Sequence, residues 1–350
     1  MVTVAAKPDF MIISRTPYRL SFFGGGTDYP GWYRTHGGSV LATTLNKYCY
    51  ISARYLPPFF EHRFRIVYSK TELCTASSEI KHPAVRGTLQ HLKFTKGLEI
   101  HHDGDLPARS GIGSSSSFVV GLLHALYALR GEMRSKHDLA LESIYIEQEL
   151  LKETVGAQDQ TLAAYGGFNV IHFHTSGEIT VRPMTLPAER IVELNSHLML
   201  FYTGIARNST DVAGLYIPEI KSKQKQLSAY GPMVDEAQAI LIKNRPLEEF
   251  GKLLHEAWLL KKSISTEISK AGIDEIYEAA RTAGALGGKI IGAGGGGFLL
   301  LFAPPHAQAA IRAKLKGLLE VPFEFDNHGS QIIFYDPEAQ FQDRRSQSIS

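Results

Sequence analysis

Apolar residues fall in short clusters along this chain, and their changing spacing predicts its elements. Residues 40–55 and 64–68 are dense in β-branched and aromatic side chains and predict antiparallel strands, with turns near Asn46-Lys47 and Pro57-Pro58. Runs at 10–13, 98–102, 168–173 and 179–181 predict further strands, the last two forming a hairpin. Helical spacing governs 82–92. It governs also a stretch opened by the capping-box pattern of Ser135 and Asp138, which carries Leu139, Ile144, Leu150 and Leu151 to about residue 152. Residues 118–129 are apolar almost throughout, as in a buried helix.

Beyond the Pro183 to Pro187 stretch, the pattern predicts a strand at 198–202, several helices between 211 and 269, a helix at 274–283 and strands at 298–302, 323–325 and 331–335. Phe250, Leu253, Leu254, Ala257 and Trp258 mark 247–263 as a core helix. Interleaved strands and helices point to an α+β fold with helices on one side of an antiparallel sheet. The expected division is a first domain over 1–190, a second over 191–337, and a polar, disordered tail over 338–350.

A length of 350 residues suits two domains, and 44% hydrophobic with 21% charged residues is the balance of a globular protein. A net charge of +2 argues against a dedicated nucleic-acid binder but leaves small anionic substrates open. No apolar run approaches the roughly 20 residues that span a bilayer, and the first residues lack a secretory pattern. The chain is therefore expected to be cytoplasmic, without a membrane partner. Cys49 and Cys74 are too few for a disulfide scaffold and are expected as buried small hydrophobes. His101 and His102, adjacent on a strand, point to opposite faces and are expected to be structural.

Candidate chemistry centres on residues 104–117. Gly111 and Gly113 free the backbone to approach a ligand, and Ser114 to Ser117 open a helix with no carboxylate in its first turn, leaving the positive end of the helix dipole free for phosphate. A serine-rich cap on an ordinary helix is the other reading. The lysine of a P-loop is missing, and the Gly-x-Gly-x-x-Gly of 292–297 leads into an apolar, strand-like run, unlike a dinucleotide site. Gly24, Gly25 and Gly26 precede Thr27 and Asp28, so Asp28 is placed either to accept hydrogen bonds from substrate hydroxyls or to cap its own turn. Glu142, Glu147, Glu149 and Glu153 read by default as a solvated helix face with one open to a further role, and in the stretch from Glu149 to Gln160 a helical carboxylate with Asp159 in the following loop is the pair that metal-assisted phosphoryl transfer needs.

Arg19 with Gly24 to Tyr29, Pro107-x-x-x-Gly111-Ile112-Gly113-Ser114-Ser115, and Gly292 to Gly297 together resemble the GHMP kinase superfamily over residues 10–335. The resemblance implies an N-terminal domain like ribosomal protein S5 domain 2, a C-terminal ferredoxin-like domain, and ATP and Mg2+ in the cleft. Carried over, Pro107, Arg109, Ser110, Gly111, Ile112, Gly113, Ser114, Ser115 and Ser116 would bind ATP. Ser115 and Glu149 would hold magnesium, and Asp159 would be the base with Arg19 beside it. Gly26, Thr27 and Asp28 would meet the sugar, and Gly294 and Gly295 would close on the reacting groups.

Galactokinases read Gly-Glu-His-Thr-Asp-Tyr where this chain has Gly24 to Tyr29, so galactose is disfavoured. The Gly24 to Pro30 form, Gly156 to Gln160 and Phe325 to Ser330 resemble the heptose 7-phosphate kinases, with fucokinase domains the nearest rival. The resemblance thus implies ATP-dependent phosphorylation of a sugar phosphate at its anomeric hydroxyl, and it leaves a homodimer open. Arg207 is a candidate for the sugar's own phosphate, with Lys261 and Lys262 as weaker ones. A GHMP-like protein that only binds a small molecule would have no need of a base.

Overall fold

A computed structural model describes residues 11–57, 59–205 and 223–336. The first sheet is built on β1 (Met11–Phe23) and β2 (Gly38–Tyr55), with β3 (Phe64–Val67), β4 (Thr71–Cys74), β5 (Leu98–Gly104), β6 (Asn169–Phe173) and β7 (Ile179–Pro183). The second holds β8 (Leu198–Tyr202), β9 (Gly287–Ile290), β10 (Phe298–Phe302) and β11 (Leu319–Glu320) in the order β11-β8-β10-β9, all antiparallel. The chain then returns: β12 (Phe325–Asp326) pairs with β2, and β13 (Gln331–Asp336) pairs with β1. The end of the 191–337 stretch therefore lies in the first sheet. Within that sheet the path runs β13-β1-β2-β5-β3-β4, with β3 parallel to β5.

The turn expected at Asn46-Lys47 does not form. β2 runs through it, changing partners from β6 to β5 and bulging opposite β1, where Pro17 faces Tyr48 and Arg19 faces Thr44. Asn46 bonds both backbone and side chain to Glu324, so its turn-forming groups serve the returning chain instead.

The Ser114–Leu129 helix lies on β1 and β2, buried as its composition predicts. Gly121 lets it approach β1, where Ser14 Oγ donates to the Gly121 carbonyl at 2.8 Å. Phe250, on the Leu247–Lys262 helix, meets Phe22 and Phe23 of β1 edge-on at 5.5 and 5.2 Å and Phe302 of β10 at 6.0 Å, so one ring joins the cores of both sheets. Among the described residues no helix is long and apolar enough to cross a membrane. Cys49 and Cys74 are buried and free.

Candidate active site

The phosphate-binding expectation rests on the start of the Ser114–Leu129 helix. Gly113 precedes it at φ +75°, no side chain caps it, and its own first turn holds no acid, so its first N–H groups are left without a side-chain cap. The loop before it is braced from within. Ser110 Oγ donates to the Pro107 carbonyl at 2.6 Å, the Arg109 N–H donates to Ser114 Oγ at 3.1 Å, and Ile112 is buried with its carbonyl accepting from the Arg19 N–H.

Arg19 ties this loop to Asp159. Its Nε and Nη2 donate to the two carboxylate oxygens at 2.7 and 2.6 Å, and Nη1 donates to the Gly111 carbonyl at 2.6 Å. Asp159 sits at the start of the Gln158–Tyr165 helix, its side chain 24% exposed, and Oδ2 lies 3.4 Å from where a Cβ on Gly113 would begin. The carboxylate thus abuts the start of the Ser114–Leu129 helix at Gly113.

Glu149 does not join them. The helix expected to run from Ser135 to about 152 is regular only over Lys136–Tyr145 and then widens into a π-helical turn, Ile146–Leu150, closed by the Leu151 N–H on the Ile146 carbonyl. Glu149 is carried to the surface, where its side chain is 60% exposed and pairs with Lys152. The carboxylate that reaches the serines is Glu147. It is fully buried, accepts from Ser115 Oγ at 2.8 Å and Ser116 Oγ at 2.7 Å, and is also bonded by Gln160 Nε2. Burial pushes its carboxyl up to about 7 against the pull of the serine and glutamine donors, with the Glu153 charge adding to the rise. The signal was in the sequence: Leu139, Ala140, Ser143 and Glu147 recur at helical spacing on one buried face.

Thr27 and Asp28 build their own loop. Thr27 Oγ1 donates to the Gly24 carbonyl at 2.8 Å and accepts from the Ser39 N–H at 3.2 Å. Asp28 Oδ1 accepts from the Gly26 N–H at 2.9 Å, and Oδ2 from the Gln158 N–H at 3.2 Å, so Asp28 anchors the helix that carries Asp159. Burial first, then the Asp159 charge, push Asp28 up to about 6. Gly156 is required here: a Cβ on it would lie 1.9 Å from Asp28 Oδ2.

The third loop closes on the first. Gly297, at φ +86°, packs so tightly that a Cβ would fall 2.1 Å from the Ser110 carbonyl, while its own carbonyl accepts from the Thr203 hydroxyl at 2.8 Å. Gly294 and Gly295 lie against Ile268, whose carbonyl accepts from the Gly295 N–H at 2.9 Å. As the spacing predicted, the loop leads into a strand, β10. Two lysines fix its approach. Lys261 donates to the Ile290 and Gly292 carbonyls, and Lys289 donates to the Phe22 carbonyl at 2.9 Å. Burial, helped by the Arg19 charge, pulls Lys289 down to about 7. Lys262 pairs with Asp274 at 2.9 Å, so both lysines weighed for a sugar phosphate have structural partners. Arg207 lies outside the described residues.

This constellation joins an uncapped helix start, a carboxylate held by arginine, and a glycine loop packed against the first loop. Models of the GHMP kinases N terminal domain and the GHMP kinases C terminal domain match residues 79–167 and 238–320. The chain belongs to the GHMP kinases. It is 29% identical over 313 residues to a D-glycero-alpha-D-manno-heptose 7-phosphate kinase of Campylobacter jejuni, covering 84% of this chain and 90% of that one. It is 26% identical over 280 residues to a mevalonate kinase of Pyrococcus horikoshii, covering 76% and 78%.

Among solved structures, a D-glycero-D-manno-heptose 1-phosphate kinase from Bacteroides thetaiotaomicron superposes with a TM-score of 0.75 at 23% identity, over 91% of this chain and 97% of that one. A putative sugar kinase from Campylobacter jejuni gives 0.71 at 25%, over 92% and 98%. These likenesses agree with the GHMP fold expected from the three motifs.

Proposed function

We propose that this GHMP kinase transfers the terminal phosphoryl group of ATP to the anomeric hydroxyl of D-glycero-D-manno-heptose 7-phosphate, giving the 1,7-bisphosphate. One observation carries the chemistry: Asp159, gripped by Arg19, abuts the open N-terminus of the Ser114–Leu129 helix at Gly113. A phosphate chain cradled on that helix end would present its last phosphorus beside a carboxylate able to take the acceptor's proton. The acceptor oxygen forms the new P–O bond, its proton passes to an Asp159 oxygen, and the bond to the ADP oxygen breaks. Arg19 keeps Asp159 aimed, through a bond to each carboxylate oxygen.

Hard oxygen donors suit Mg2+, and Glu147 with Ser115 supplies them: a buried carboxylate and a hydroxyl. Among the described residues no cluster of three or more acidic, histidine or cysteine side chains is placed to hold a metal ion. When bound, Mg2+ would neutralise charge on the transferring phosphates. Arg207 is the cation we assign to the sugar's own phosphate.

The heptose is favoured by the loop Gly24 to Tyr29 and by the relative from Campylobacter jejuni. The names of the two heptose relatives differ in the phosphate position, so the deciding experiment offers heptose 7-phosphate, heptose 1-phosphate, the free heptose, L-fucose and mevalonate, each with ATP and Mg2+, and scores products by mass. Exclusive conversion of the 7-phosphate is expected. Equal use of the free heptose, or turnover undiminished in excess chelator, defeats the assignment.

A further inference from the structure

Beside the base, two buried polar atoms have no partner. Ser21 is 5% exposed and Gln158 9%, and neither Ser21 Oγ nor Gln158 Oε1 is hydrogen-bonded. An unsatisfied buried oxygen is unfavourable, and a native protein rarely keeps two together without use for them. Both groups converge on Gly25: a Cβ there would lie 3.5 Å from Ser21 Oγ and 3.5 Å from Gln158 Nε2, so its absence leaves room between them. The corner is rigidly held. Gln158 is the residue before Asp159, and its N–H is fixed on Asp28 Oδ2.

Around Gly25, Gln158 Oε1 and the Asp28 carboxylate accept, and the Ser21 hydroxyl and the Gln158 amide donate; the Asp159 carboxylate that raises the Asp28 pKa is itself paired with Arg19. Such a set suits uncharged O–H donors better than phosphate or carboxylate.

We infer that Ser21 and Gln158, across the gap left by Gly25, read sugar hydroxyls next to the one that is phosphorylated and so determine which acceptor is used. The pair sets the polyol end of the acceptor site, and the acceptor's phosphate lies away from it. This inference rests on the sugar kinase reading.

The test uses Gln158→Met, which keeps length and removes both hydrogen-bonding atoms, and Ser21→Ala, which removes an unpaired hydroxyl and little volume. Heptose 7-phosphate and ATP are the probes, in steady-state kinetics and in ligand-induced shifts of Tm. Each variant is expected to raise KM for the heptose phosphate by about 10- to 100-fold, to hold KM for ATP within about twofold, and to lose the heptose-induced Tm shift while keeping the ATP-induced one. A wild-type shift that both variants retain, with KM unchanged, overturns the inference alone. If Gln158→Met does not fold, Ser21→Ala decides by the same criteria. A wild type whose Tm answers ATP but no sugar or sugar phosphate overturns the kinase reading and the inference with it.

Discussion

Arg19 holds Asp159 by both carboxylate oxygens, at 2.7 and 2.6 Å, while its remaining terminal nitrogen reaches the Gly111 carbonyl. One side chain thereby fixes the distance between Asp159 and the loop at Gly111, and only a planar fork can make all three bonds at once. Arg19→Lys keeps the charge but loses the fork, so kcat is expected to fall by about 10- to 100-fold, with KM for ATP changed much less. Asp159→Asn should cost at least about 100-fold in kcat with ATP binding retained, because an amide keeps the shape but takes no proton. Steady-state kinetics and nucleotide titration check both; an Asn variant within about threefold of wild type removes Asp159 from the role.

Glu147 and Glu149 are two residues apart and should behave oppositely. Glu149→Gln breaks only an exposed pair with Lys152, so activity and stability are expected to stay near wild type, within about 0.5 kcal/mol. Glu147→Gln should reduce kcat by at least about 100-fold and, without divalent cations, stabilise the fold at pH 8. The sign follows from the raised carboxyl. Between its ordinary value of 4.5 and about 7 the folded protein binds the proton more tightly than the unfolded chain, so wild-type stability falls as pH climbs through that window. The glutamine variant lacks this fall, and the difference by pH 8 is on the order of 2–3 kcal/mol. Urea unfolding of both proteins at pH 5 and pH 8, in chelator, measures it; equal pH dependence would show that Glu147 is not held protonated.

The exchange of Glu149 for Glu147 shows where the sequence was legible. The three glycine motifs, the buried 118–129 helix and the strand after Gly297 were readable because each depends on local chain chemistry. Asp159, proposed as the base, and Arg19 were paired by the resemblance, and the structure puts them in contact. The helical spacing of Leu139, Ala140, Ser143 and Glu147 marks Glu147 as the inward carboxylate, whereas Glu149 was placed by its ten-residue distance from Asp159 in the family pattern. The return of β12 and β13 to the first sheet depends on pairing across more than 270 residues, which no local pattern reports. Nor does local pattern reveal Lys289, whose lysine reads as a surface residue until β9 is seen with every position buried.

Gly297→Ala tests the contact between the third loop and the first. The added Cβ would fall 2.1 Å from the Ser110 carbonyl on a backbone at φ +86°, so either the loops separate or the backbone changes region. Destabilisation of about 1–3 kcal/mol is expected, together with a clear rise in KM for ATP, since Ser110 belongs to the loop proposed to bind it. Gly31→Ala is the control, because a Cβ there meets nothing within 4 Å. Equal behaviour of the two variants in thermal melts and ATP kinetics would show that the loops are not locked together.

Lys289 gives the last prediction, a pH dependence opposite in sign to that of Glu147. Its ammonium has one hydrogen-bond acceptor, the Phe22 carbonyl, and burial with the nearby Arg19 charge lowers its pKa from 10.5 to about 7. Below about pH 7 both folded and unfolded chains hold the proton and the cost of burying the charge is felt in full. Between 7 and 10.5 the unfolded chain stays charged while the folded one does not, so stability contributed by this group rises with pH, by at most about 1.4 kcal/mol per unit. Lys289→Met removes the titration and loses the bond to Phe22, a constant offset of about 1 kcal/mol. The offset cannot imitate a slope, and the tyrosines and cysteines that titrate at high pH are common to both proteins. The difference in unfolding free energy, wild type minus variant, should therefore be flat from pH 6 to 7 and climb from pH 7 to 9. A difference that stays flat across the whole range would mean that Lys289 remains charged inside the fold, and that the strand leading to the third glycine loop is held against β1 by a buried ammonium.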